Sequence, residues 1–167
     1  HCSGSIPIEV LTKTSFCYGV FYPLQTLTRN ALKDFKDVPV CVEGCNNEAE
    51  EILFTLADSI SNQVHRISST QRLHLHLAAV IANNFTNSLY GIAKEILDRH
   101  HLSFDLLKPL ITETARNVQQ YDPRQMQTGP AKRHDETVIQ KHLELLAGNP
   151  EWQQLYNLLS NLIKKQY

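Results

Sequence analysis

Between positions 72 and 87 the sequence reads RLHLHLAAVIANNFTN, placing a cation, two imidazoles and three asparagine amides on an otherwise aliphatic run. At about 100° per residue, a helix puts Asn83 and Asn87 within about 20° of His76. Arg72 and Val80 then lie about 40° to either side, and Asn84 about 80° away. One face thus carries guanidinium, imidazole and amide. Such groups can clamp a small polar ligand, because polar groups removed from water must find partners. The plainer alternative is that they bond neighbouring helix ends, loops or a buried water.

A second chemical cluster is QTGPAKRHDETV, residues 127–138. Thr128-Gly-Pro predicts a stiff turn whose backbone N–H groups could face an anion. Arg133 offers a planar donor fork suited to carboxylate or phosphate, and His134 adds an imidazole. Asp135 is placed to cap the helix that follows. A Gly-Pro turn before a capped helix is also ordinary structural punctuation. His142, one turn along that helix among Val138, Ile139, Leu143 and Leu146, reads as a hydrogen-bonded core histidine. At the start, HCSGS suggests the end of a buried strand and a tight turn, with His1 and Ser3 at a carboxyl edge where α/β sheets place ligands.

These groups need elements to hold them. YGVFYPLQTLT (18–28) and VPVCVEGC (38–45) are rich in β-branched and aromatic residues and read as strands, with a polar loop or single helical turn over 29–37. Residues 47–62 follow helical spacing through Ala49, Ile52, Leu53, Leu56, Ala57 and Ile60, and QVHRIS (63–68) reads as a short strand. Strand, strand, helix, strand is an α/β pattern. From Ser69 or Thr70, either able to cap, about thirty residues run on without proline. Residues 73–93 contain no Asp, Glu, Lys or Arg, yet are too polar for a membrane span, so the helix suits the centre of a bundle. Three further helices are expected over 103–120, restarted near Pro109, over 135–150 and over 151–166. The reading is α+β, with an α/β part over 1–68 and an all-helical domain over 69–167.

Bulk properties narrow the function. With 16 Lys and Arg against 17 Asp and Glu, the net charge of −1 offers no basic stripe for nucleic acid or a membrane surface. A chain of 167 residues can bury a true core. The four cysteines form no C-x-x-C pair and have no histidine pair nearby, which predicts reduced thiols in a cytoplasmic protein and no metal site. Gly-x-Gly-x-x-Gly and Walker loops are absent, as is a Gly-x-Ser-x-Gly elbow.

In order along the chain, HCSGS, GVFYPLQT, VEG, RLHLHLAAVIANNFTN, PLITET and QTGPAKRHDETVIQKH resemble a family of oxidoreductases. In that family a Rossmann-like NADP-binding domain precedes a helical domain of unknown function. The resemblance covers nearly the whole chain. It implies that residues 1–68 are the last strands of the Rossmann-like domain, and that about ninety residues with the Gly-rich nucleotide loop precede His1. It also implies a helical domain similar to that of 6-phosphogluconate and 3-hydroxyisobutyrate dehydrogenases, whose central helix carries a catalytic lysine shortly before an asparagine. Here that position is Val80, which cannot donate a proton. His76, one turn earlier, is the substitute acid. Related sequences often carry His-Pro where this chain has Tyr22-Pro23, which makes position 22 a poor candidate for a required base.

The resulting expectation is an NADP-dependent oxidoreductase acting on a small polar, anionic substrate between two domains. His1, Ser3 and Gln25 would approach the cofactor. Arg72, Asn83, Asn84 and Asn87 would line the helical wall around catalytic His76, and Thr128, Arg133 and Asp135 would close the corner. Related domains pair their central helices, which implies a homodimer. The alternative is a non-catalytic nucleotide-sensing or dimerisation module, favoured by Val80.

Overall fold

A computed structural model of the chain describes residues 1–14, 16–26 and 34–167. Residues 27 and 28 of the expected first strand, and 29–33 of the expected loop, lie outside the described residues. Contacts divide the chain into two compact units, His1–Ser88 and Leu89–Tyr167. Side-chain bonds join the start of the long helix to the first unit, since Arg72 and His76 bind the N-terminal turn and the sheet.

The first unit is built on a three-stranded sheet of order β1-β2-β3, with β1 Gly19–Pro23, β2 Val40–Gly44 and β3 Val64–Arg66. β1 runs antiparallel to β2, with Tyr22 opposite Cys41, and β3 runs parallel to β2. Helix α1, Asn47–Asp58, makes the crossover that a parallel pair requires. Asn46 caps it by accepting from the Ala49 N–H at 2.9 Å, and Glu48 and Glu50 sit favourably in its first turn. Proline bounds two strands: Pro23 closes β1 and Pro39 precedes β2.

Alternation along β2 explains the layering. Val40 and Val42 point to one face and form a core with Ala57 of α1, packed by Phe21, Leu53, Phe54 and Val64. Gly44 ends the strand where a Cβ would run into the backbone of Glu50, so only glycine lets α1 start this close to the sheet. Cys41 and Glu43 alternate to the opposite face, where Glu43 meets α2.

Helix α2 spans Ser69–Ala79, and a π-helical segment, Val80–Phe85, leads directly into α3, Thr86–Arg99. The expected N-cap at Ser69 or Thr70 moves back to Ser68, which forms a capping box with Gln71. Ser69 is thereby left to bind the sheet, and its N–H and hydroxyl both donate to the Glu43 carboxylate at 2.8 Å.

The second unit continues α3 and adds a 3-10 turn, Phe104–Leu107, then α4 Lys108–Gln120, α5 Glu136–Leu145 and α6 Pro150–Lys164. Pro109 lies in the first turn of α4, where its missing N–H costs nothing, and the helix restarts there as expected. Asp135 caps α5 by accepting from Val138 N–H at 3.1 Å. Ala131 and Ile139 are buried, and His142 Nδ1 lies 2.7 Å from the Tyr156 hydroxyl, the satisfied histidine that its helical position suggests. Arg99 lies over the Trp152 ring at 4.8 Å. Among the described residues no helix is long and apolar enough to cross a membrane.

Candidate functional site

Arg72 is the most deeply buried charged residue among those described, 1% exposed, and its guanidinium is fully engaged. Nε donates to Ser3 O at 3.1 Å, one terminal nitrogen pairs with Glu43, and the other donates to Ile6 O at 2.7 Å and to the Ser69 hydroxyl at 3.1 Å. The expected place for Arg72 on a ligand-facing wall is therefore corrected. It is a pin that fixes the N-terminal turn to the sheet through α2. A carboxylate in the apolar run VPVCVEG was the available signal, since a buried charge needs a partner.

His1 and Ser3, expected on the cofactor side, build that turn. The His1 backbone nitrogen donates to Gly19 O at 2.9 Å, and the His1 Nδ1 accepts from Ser3 N–H at 3.3 Å. The Ser3 hydroxyl accepts from Ile6 N–H at 3.2 Å. Immediately behind, Gly4 is buried. A Cβ there would sit 2.6 Å from His76 Nδ1 and 2.9 Å from Tyr22 Cζ, so the turn presses its bare backbone onto both rings. Tyr22 and His76 meet edge to face, with centroids 6.2 Å apart and an interplanar angle of 75°. The Tyr22 hydroxyl lies 3.2 Å from His76 Nδ1. Burial raises the Tyr22 pKa above its ordinary value, the opposing Cys41 adds to the rise, and the Arg72 charge works against it. Burial likewise raises the Cys41 thiol, again opposed by Arg72. Tyr22 is the residue that sequence reasoning set aside. Its place directly across from Cys41 and beside a helical histidine emerges only from the strand register.

Next to this pair opens a cavity of about 530 Å³, lined by Tyr22, Leu24, Gln25 and Thr26 from the sheet side and by His76, Ala79, Val80, Ala82, Asn83 and Asn84 from the helix. Asn83 donates to the Thr26 hydroxyl at 3.0 Å and to Asn84 Oδ1 at 3.1 Å. His76, Asn83 and Asn84 are thus brought together, as is Gln25. Asn87 is not. The wider turn of the π segment advances the facing row by one residue, which turns Asn84 toward the His76 face and Asn87 off it. No Lys, Arg, Asp or Glu is among the lining residues. Among the described residues no cluster of potential metal ligands occurs, and Cys2, Cys41 and Cys45 are thiols.

Thr128, Arg133 and Asp135 belong to the second unit. Gly129, at φ +102°, makes the sharp bend. Arg133 and Thr128 are exposed, and Asp135 is the α5 cap. A small apolar groove of about 120 Å³ in the same unit, lined by residues that include Ile92, Ile96, Trp152 and Leu155, brings no chemistry of its own.

The fold belongs to the mixed α/β class, with a cavity between sheet and helix in its first unit and a helical second unit. Residues 38–163 match the family described as Domain of unknown function (DUF2520), and the chain belongs to that family. Its structure is similar to that of a "putative NADP oxidoreductase" from Bacteroides fragilis, with a TM-score of 0.95 and 46% identity over 99% of this chain and 64% of that one. It is also similar to a protein from Thermotoga maritima, with a TM-score of 0.78 and 26% identity over 99% of this chain and 67% of that one. The chain therefore spans just under two thirds of the length of the Bacteroides fragilis protein. No curated protein matches it.

Proposed function

We propose that the chain is part of an NADP-dependent oxidoreductase that reduces or oxidises a small polar substrate in the Tyr22–His76–Asn83–Asn84 cavity. The observation that carries this reading is the convergence of an imidazole and two amides on a space of about 530 Å³, within the size range of small-molecule sites. The family membership and the name of the Bacteroides fragilis protein support a nicotinamide cofactor. Donor chemistry fits a partial role: Gln25 and Thr26 can meet the carboxamide end. The cofactor phosphates need a Gly-rich loop that these residues lack, so a Rossmann-like part outside them would hold the nucleotide.

When bound, the reduced cofactor supplies a hydride. His76 would supply the matching proton, its Nε2–H passing to the substrate oxygen that takes up the electron pair. Asn83 and Asn84 orient the substrate by hydrogen bonds, and apolar Ala79, Val80 and Ala82 help exclude water. The helical unit would then be of the 6-phosphogluconate dehydrogenase C-terminal type. The exposed row Leu73, Leu77, Ile81 and Phe85 supports a homodimer, and a monomeric mass by light scattering contradicts that part.

One observation favours a second reading, a nucleotide-sensing module without catalysis: Val80 lines the cavity where a lysine acid would stand. A redox assay of the intact protein with NADPH over hydroxy, keto and imino acids separates the two. Turnover of any member that is lost in His76→Ala, with the fold retained by circular dichroism, supports the enzyme. An unchanged rate in that variant removes His76 from the mechanism.

A further inference from the structure

We propose that Tyr22 is a positioning residue for His76, its hydroxyl holding Nδ1 in both charge states of the imidazole so that Nε2 always faces the cavity. The inference rests on His76 being the proton donor of the reading above.

Three observations carry it. The hydroxyl is 3.2 Å from Nδ1, while Nε2 has no hydrogen-bond partner among the described residues and the ring lines the cavity. The ring cannot retreat toward the N-terminal turn, because Gly4 already fills the space behind Nδ1 so closely that a methyl group would overlap it. Tyr22 is itself fixed, since its strand is hydrogen-bonded to β2 in a register that sets it opposite Cys41.

The choice of a phenol has a chemical reason. When Nε2 gives up its proton Nδ1 keeps its own, so Nδ1 is an N–H donor in both charge states of the ring. The phenol oxygen accepts from it in both, so the ring changes charge without losing its anchor or turning. Its raised pKa keeps the O–H intact through the range in which imidazoles titrate.

The test uses histidine-labelled intact protein and one variant, Tyr22→Phe, which keeps the ring and removes only the hydroxyl. By NMR at acid pH, the Nδ1 proton of His76 exchanges slowly with solvent in the wild type and at least tenfold faster in the variant. With any substrate found in the redox panel, kcat falls about tenfold or more in the variant while KM is unchanged, as expected for a group that acts through the acid. A wild-type Nδ1 proton that exchanges as fast as in free imidazole overturns the proposal without recourse to any variant. So does an unchanged kcat in Tyr22→Phe. A protected Nδ1 proton in a protein that turns over no panel member instead defeats the redox reading, and with it the positioning role, leaving a purely architectural bond.

Discussion

Four residues concentrate the chemistry, and each is explained by what touches it. His76 faces the cavity because Tyr22 and Gly4 leave its ring one place to be. Gly4 is the sharpest probe of this arrangement. Gly4→Ala must displace either the imidazole or the phenol, because the added methyl would lie within 3 Å of both. We expect a stability loss of about 1–3 kcal/mol, typical of overpacking, together with a collapse of any turnover. Thermal melts and the redox assay of the same sample measure both. A variant that melts lower but works normally would show that the turn merely fills space. The amides were legible from residue type alone, because Asn in an aliphatic helix must bond something. Tyr22 was not, because a strand aromatic looks the same in sequence whether it faces a core or a catalytic group.

At the scale of elements, the first unit depends on one buried ion pair. Arg72 links α2, the N-terminal turn and β2 through Ser3, Ile6, Ser69 and Glu43. Replacing it by Met leaves the Glu43 carboxylate without its cation and two carbonyls without a donor. A loss of about 3–5 kcal/mol follows from breaking one side of a buried pair. Denaturant titration should show that loss, and Glu43→Gln added to the variant should recover part of it. No recovery would mean that the carbonyl bonds, and not the charge pair, hold the turn. Sequence periodicity found the helices and strands here to within a few residues. It erred where hydrogen bonding departed from the regular pattern. The capping box drew the N-cap of α2 back to Ser68, and the π segment turned Asn84 toward the His76 face and Asn87 off it. Neither event leaves a period in the sequence, since both depend on what lies beside the helix.

For the whole molecule, the α/β pattern of the first seventy residues and the helices that follow were readable from alternation and 3.6-residue spacing. The division of contacts at Ser88 was not, because the bonds of Arg72 and His76 to the turn and the sheet leave no mark on that spacing. The central claim is that nicotinamide chemistry takes place in the cavity beside Tyr22 and His76, in the first unit. It is tested most directly by titrating NADPH into the intact protein, labelled at histidine and asparagine, and following the imidazole and amide resonances. The account predicts a saturable shift of His76, Asn83 and Asn84 with His142 unmoved. Saturable shifts confined to His142 and its neighbours in the helical unit, with His76 silent, would contradict it.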